Sequence, residues 1–332
     1  VMVEESAKMF IAGPDVIRAA TGEVISDEAL GGARVHAEVS GNIHFSAPDE
    51  RSAVKTVKAL LSYLPANNLE SPPDVPFEAP LVDDEGMDEV VPEDPRRAYD
   101  VHDVIRRLVD GGAFLEVQSA FGRSVVVGFG RLGGMVVGVV ANQPMHLAGS
   151  LDMDASDKAA RFVRTCNVFN IPLVTLVDVP GFLPGVAQEH GGIIRHGAKM
   201  LFAYSAATVP KMTVILRKAY GGAYLAMCSK DLGADSVLAW PTAEIAVMGP
   251  EGAARILHRR ELEAARDKDA LLAEKVAEYR RLHANPFRAA AALYVDDVIR
   301  PSWTRRLLIE RLVTLRAKRD LRPQKKHGNI PM

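Results

Sequence analysis

Apolar and polar positions along this chain follow two different rhythms, and each change of rhythm marks an element. SVVVGFGRLGGMVVGVVAN (124–142) is two β-rich runs around a glycine turn and predicts a hairpin. PLVTLVDV (172–179) is almost unbroken apolar sequence, the pattern of a strand covered on both faces. KMTVILRKA (211–219) predicts another strand, and SVLAWP (236–241) and EIAVMG (244–249) predict two short ones. Between them the spacing turns helical. Val101, Val104, Ile105 and Leu108 share one face behind a capping Asp100. DASDKAARFVRTCNVFN (154–170) and GGIIRHGAKMLFAYSAA (191–207) predict helices, GGAYLAMCS (221–229) opens one, and residues 250–283 are helical with a charged exposed side. Strand, turn, helix, strand in this order implies right-handed crossovers and a largely parallel sheet, hence an α/β fold.

The texture is different before residue 96. Residues 1–64 mix short helical patterns with loops. Residues 65–95 hold seven prolines, and between Glu70 and Asp94 there are ten acidic residues and no Lys or Arg. Proline fixes φ and removes a donor, and like charges repel, so this stretch reads as an inter-domain linker whose acids face solvent. The expected division is therefore 1–64, a linker over 65–95, and a compact domain over 96–332. The chain begins at Val1, inside what reads as a folded segment, so an upstream part is expected.

Charge and cysteine content narrow the function. Forty basic and forty-two acidic residues give a net charge of -2, without the basic excess expected of a nucleic-acid binder. Two cysteines, Cys166 and Cys228, exclude a disulfide framework and a four-cysteine zinc site, and they suit a reducing cytoplasm. No apolar run is long enough to span a membrane.

Three segments are candidates for chemistry. Gly128, Gly130 and Gly133 spell G-x-G-x-x-G, but a dinucleotide site needs a helix after the turn and a second β run follows instead, so the hairpin reading is preferred. Gly221-Gly222-Ala223 follows a predicted strand and opens a helix, where the first N–H groups lack intrahelical partners. Glycine permits a tight turn and close approach, so the amides of Gly222 and Ala223 could form an oxyanion hole, although a plain helix-on-strand turn has the same composition. VDVPGFLPG (177–185) ends a buried strand, where open α/β sheets bind ligands, and it leads into Gly191-Gly192, a second place for free amides. Side-chain catalysts are scarce. No G-x-S-x-G or H-E-x-x-H occurs, Cys166 sits among apolar neighbours, and Glu189, His190 and His196 read as structural.

VDVPGFLPGVAQEHGGIIRHGAKML, RKAYGGAY and WPTAEIAVMG together resemble the carboxyltransferase (β) subunit of biotin-dependent acyl-CoA carboxylases, propionyl-CoA carboxylase type. GPDVI (13–17), GGARVH (31–36), the linker, NQP (142–144) and HGNIPM (327–332) extend the resemblance over most of the chain. It implies paired crotonase-like domains of ββα units, of which this chain holds the tail of the first and the whole second. It also implies transfer of CO2 from carboxybiotin, carried by a biotin carboxylase and biotin carboxyl carrier partner, to the α-carbon of a short acyl-CoA through an enolate. Gly222 and Ala223 match the second-domain oxyanion pair. Phe182, with Gly181, Gly191 and Gly192 around it, matches the biotin pocket, the Phe182 carbonyl meeting a ureido nitrogen. Gly221, Tyr224 and Leu225 fall where acyl choice is set. Leu225 departs from the aspartate typical of propionyl-specific members, which leaves acetyl-, propionyl- or longer acyl-CoA open. A hexamer (a trimer of dimers) with sites between subunits, no metal in this subunit and a cytoplasmic location are also implied. No nucleic acid or membrane partner is expected. The alternatives are the corresponding subunit of a biotin-dependent decarboxylase, or a non-catalytic support subunit, since no segment before residue 65 matches the first domain's own Gly-Gly pair. A bulky side chain at Ala223 is expected to lower turnover with little loss of fold.

Overall fold

A computed structural model describes residues 1–79, 81–320 and 328–331. Pro80 of the proline-rich stretch and His327 and Met332 of the HGNIPM ending lie outside the described residues. The first part holds β1 (Met2–Val3), α1 (Pro14–Thr21), α2 (Asp27–Gly31), α3 (Ala33–Glu38), β2 (Ser46–Ala47) and α4 (Glu50–Leu61). Next come α5 (Val101–Leu108), β3 (Leu115–Val117), β4 (Val125–Leu132), β5 (Met135–Asn142), α6 (Met153–Val168) and β6 (Leu173–Val179). These lead to α7 (Val186–Gly191), α8 (Ile193–Ala206), β7 (Lys211–Tyr220), α9 (Gly221–Ala226), β8 (Ser236–Ala239) and β9 (Glu244–Ala246). The chain closes with α10 (Pro250–Leu257), α11 (Arg259–Ala264), α12 (Lys268–Leu282), α13 (Pro286–Ala291), β10 (Asp297–Val298) and α14 (Thr304–Leu315).

The main sheet has eight strands in the order β10-β8-β7-β6-β5-β4-β3, with β9 on the end of β7. β3, β4 and β5 run antiparallel, and β5, β6, β7, β8 and β10 are parallel. Alternation along the strands sorts their side chains into two cores. Val125, Val127, Val140, Leu173, Val177 and Ile215 face α6, α8 and α9. Val126, Val137, Val174, Leu176, Val214 and Leu216 face α5 and α14. Both faces are covered, which is why β6 reads as continuous apolar sequence. A Cβ on Gly138 of β5 would lie 2.4 Å from Cys166 Sγ, so α6 packs directly on the strand and Cys166 belongs to the core, as expected.

The G-x-G-x-x-G is the hairpin. Leu132 faces Met135 across Gly133 (φ 59°) and Gly134 (φ 79°), left-handed positions that the turn requires. The Asp110 carboxylate accepts both turn amides, at 3.0 and 2.7 Å. Gly128 and Gly130 lie inside β4, where a Cβ would come within 2.5 Å of the Leu115 carbonyl and 2.6 Å of Val109.

The acidic stretch behaves differently from the solvated run that composition predicts. Asp83, Asp84 and Asp74 pair with Arg306, Arg107 and Arg316 on α14, α5 and the turn after α14. Met87 and Val91 are buried in the core under α5. Its charge is matched by the basic outer face of these helices, so the segment lies along them as a strap.

Candidate functional site

The sequence-predicted residues gather at the carboxyl ends of β6 and β7. After β6 the chain pairs with Leu151: the Leu151 N–H donates to the Gly181 carbonyl at 3.1 Å, and the Leu183 N–H donates to the Leu151 carbonyl at 2.8 Å. Successive peptide groups of an extended chain point to opposite sides, so the N–H and carbonyl of Phe182 face away from Leu151. The Phe182 ring lies between two glycine surfaces. A Cβ on Gly197 of α8 would come within 2.8 Å of it, and one on Gly222 within 3.9 Å. Thus Gly181 and Phe182 form one surface with Gly222, forty residues further along the chain.

β7 passes straight into α9 at Tyr220, which supplies no side-chain cap. Gly221 has φ 57°, and a Cβ there would sit 2.9 Å from the Val247 carbonyl, so this turn needs glycine. Gly222 and Ala223 occupy the first turn of α9, where N–H groups have no intrahelical acceptor. Gly222 is exposed, whereas Ala223 is 1% exposed with its methyl in the core. The expectation that a bulky residue at Ala223 would spare the fold is therefore corrected: there is no room for it, and Gly222 is the position that tests the amides.

Gly191 and Gly192 join α7 to α8. A Cβ on Gly191 would lie 2.4 Å from Met153 Sδ, so it marks close packing on the start of α6. The Gly192 N–H donates to Gln188 and Glu189 carbonyls and closes α7, so it is not a free amide. Leu225 is 39% exposed on the outer side of α9. Tyr224 points inward, and its hydroxyl has no hydrogen-bond partner among the described residues. Burial, helped by nearby Asp231, pushes that phenol well above its ordinary range, so it stays protonated. His196 is structural: it contacts Asp157 at 2.9 Å and, with Lys199, ties α8 to α6.

Asp178 and Arg217 were not singled out by sequence. The Arg217 guanidinium meets the Asp178 carboxylate at 3.0 Å, and side-chain exposures of 2% and 0% make this a buried pair. The available signal was an ionisable residue inside each of two apolar strands. Among the described residues, no group of three or more His, Cys, Asp or Glu side chains could hold a metal. A cavity of about 400 Å³ lined by Met135, Pro172, Pro210 and Arg316 lies at the opposite, amino-terminal end of the strands, away from this site.

A sheet of ββα units with a strand running into a glycine-opened helix defines a crotonase-like α/β fold. The chain belongs to the carboxyl transferase domain family, whose model matches residues 1–330. It is 57% identical over 332 residues to the propionyl-CoA carboxylase carboxyltransferase subunit of Haloferax mediterranei, covering 100% of this chain and 64% of that relative. It is 51% identical over 332 residues to methylmalonyl-CoA decarboxylase subunit alpha of Propionigenium modestum, covering 100% and 64%. The crystal structure of transcarboxylase 12S, a hexamer with methylmalonyl-CoA bound, superposes with a TM-score of 0.96 at 55% identity and covers 100% of this chain and 64% of that one. The chain thus spans just under two thirds of the length of these relatives.

Proposed function

We propose that this chain serves the carboxyltransferase half-reaction of a biotin-dependent acyl-CoA carboxylase. A carboxyl group would pass between the ureido nitrogen of a carrier-borne biotin and the α-carbon of propionyl-CoA, acetyl-CoA or both. The observation that carries this reading is the single surface made by the first-turn amides of α9 and the Phe182 loop, without a titrating side chain among its parts. The reaction passes through an enolate and a charged ureido oxygen, and both need fixed donors more than a proton carrier.

The residues fit a ureido ring. Gly222 offers no side chain to obstruct it, the Phe182 carbonyl faces away from its strand partner, and the Phe182 ring supplies an apolar wall. The amides of Gly222 and Ala223 would hold the oxyanion, the Phe182 carbonyl would accept from a ureido N–H, and Gly181 would set that carbonyl's direction. Gly191 would place α8 against α6 and so close the pocket's side, and Gly192 would fix the α7–α8 corner. Bound biotin supplies the leaving group for CO2 and the base that takes the α-proton.

Exposed Val186 and Ile194, on α7 and α8, and Val247, beside Gly221, suit burial against a second copy. Self-association of that kind agrees with the hexamer of transcarboxylase 12S, and a hexamer with shared sites is the proposed assembly. A biotin carboxylase and carrier partner, a cytoplasmic setting and the division at 65–95 complete the reading. Both cysteines are free and buried, in keeping with a reducing compartment. No described helix is long and apolar enough to cross a membrane.

One relative is named methylmalonyl-CoA decarboxylase subunit alpha, so the same surface would serve either direction, with the direction set by the partner. The test is a rate panel with acetyl-, propionyl- and butyryl-CoA, in the presence of the carboxylated carrier. Carboxylation of propionyl- or acetyl-CoA that depends on the biotinylated carrier is expected. No carboxylated product from any of the three would overturn the proposal.

A further inference from the structure

The loop that carries Phe182 and the turn that carries Gly222 spring from neighbouring strands, and the two strands are out of step just before them. Val177 pairs with Ile215, but Val179 pairs with Ala219, so two steps along β6 face four along β7. Leu216, Arg217 and Lys218 therefore stand opposite Asp178 alone, a surplus of two residues on β7. The bulge swings the end of β7 away from β8 and onto β9, where Lys218, Ala219 and Tyr220 pair with Glu244, Ile245 and Ala246. Gly221 follows at once.

A bulge leaves ladder groups without strand partners, and here the Asp178 carboxylate replaces them. Its Oδ1 accepts the Lys218 N–H at 3.1 Å and its Oδ2 accepts Arg217 Nε at 3.0 Å, while the Asp178 N–H donates to Asn142 Oδ1 at 3.2 Å. Arg217 then reaches across to the strap, donating to the carbonyls of Pro92, Asp94 and Arg97 at 3.2, 3.1 and 2.9 Å. The Tyr99 ring lies 5.0 Å from the guanidinium carbon. One buried pair therefore ties together the Phe182 loop, the Gly222 turn and the end of the proline-rich strap.

We infer that Asp178 and Arg217 are positioning residues: they set the separation between the Phe182 carbonyl and the amides of Gly222 and Ala223, and they make it depend on the docked strap. The buried pair has almost no surface to offer a substrate. The inference rests on the proposed carboxyltransferase reading.

The test uses the full-length protein in its carboxylase complex, with Asp178→Asn and Arg217→Lys. Asparagine keeps the shape but removes the charge, and lysine keeps the charge but lacks the fork that meets the carboxylate through Nε and Nη2 and the strap carbonyls through Nη1 at once. Each variant is expected to lose about 100-fold in kcat, the scale of a misplacement near 1 Å. KM for the biotin carrier should rise while KM for acyl-CoA stays unchanged, and limited proteolysis should cut between residues 88 and 97 in Arg217→Lys only. A purely structural pair would lower Tm but leave kcat per folded site and the carrier KM intact, and that result would overturn the inference. If either variant fails to assemble, Tyr99→Leu, which removes the ring over Arg217 and the hydroxyl beside Asp178 but leaves the pair itself in place, provides the same kinetic readout, with a smaller fall in kcat expected and no fall overturning it. A wild-type complex without biotin-dependent turnover would instead refute the functional reading, so the two failures are distinguishable.

Discussion

Gly222 and Ala223 are neighbours in sequence, yet a side chain has opposite consequences at each. A Cβ on Gly222 meets only the Phe182 ring, at an ordinary 3.9 Å, so Gly222→Val should fold. Its branches would cover the amide, and kcat is expected to fall about 100-fold with Tm near wild type, the usual loss for one oxyanion donor. An unchanged kcat would remove Gly222 from the site. Ala223→Trp is expected to lower Tm sharply, because the Ala223 methyl is already packed in the core. Leu225 was legible as a departure from the family pattern, and its partial exposure leaves room for a charge. Leu225→Asp should shift relative rates toward propionyl-CoA, and identical rates across an acyl-CoA panel would reject a role in acyl choice. What sequence did not reveal at this scale is direction: Tyr224 and Leu225 are adjacent, but one points inward and the other out.

Among the elements, β4 to β8 and the helices α5, α6 and α8 were legible because the two cores impose periodicity on them, whereas α14, whose Leu308, Ile309 and Leu312 pack in the second core, was not singled out. Less legible were polar groups with long-range partners. Lys158 lies on the buried face of α6, a position that periodicity assigns to an apolar residue, and its Nζ donates to the Phe121 and Val125 carbonyls at 2.8 and 2.7 Å. Burial lowers its pKa from 10.5 to about 8, against the opposing pull of Glu116 and Asp152. The unfolded chain keeps this proton up to pH 10.5 and the folded chain only to about 8, so unfolding takes up a proton between those values. The contribution of Lys158 to stability therefore rises with pH through that window. Relative to Lys158→Met, the wild type should gain about 3 kcal/mol from its lower to its upper end. Parallel unfolding curves for the two proteins would show that Lys158 titrates normally. The strap was misjudged for a related reason: composition reports its acidic charge, but the arginines that meet it are drawn from α5, α14 and the turn after α14, distant in sequence.

Across the whole molecule, the proposed chemistry sits at one end of a sheet covered on both faces, where two strand ends are out of register and held by a buried ion pair. The parallel order, the hairpin and the location of the glycine turn all follow from local pattern. The bulge that joins them does not, because it depends on pairing between residues 178 and 217, which no local window contains. The central claim is that this surface passes a carboxyl group between biotin and an acyl-CoA. The most direct measurement runs the half-reaction backwards, with the full-length protein, free biotin and either methylmalonyl-CoA or malonyl-CoA, following the release of propionyl-CoA or acetyl-CoA. The account predicts release that rises with biotin concentration and is largely lost in Gly222→Val. Release that is absent, or that proceeds equally well without biotin, would contradict it.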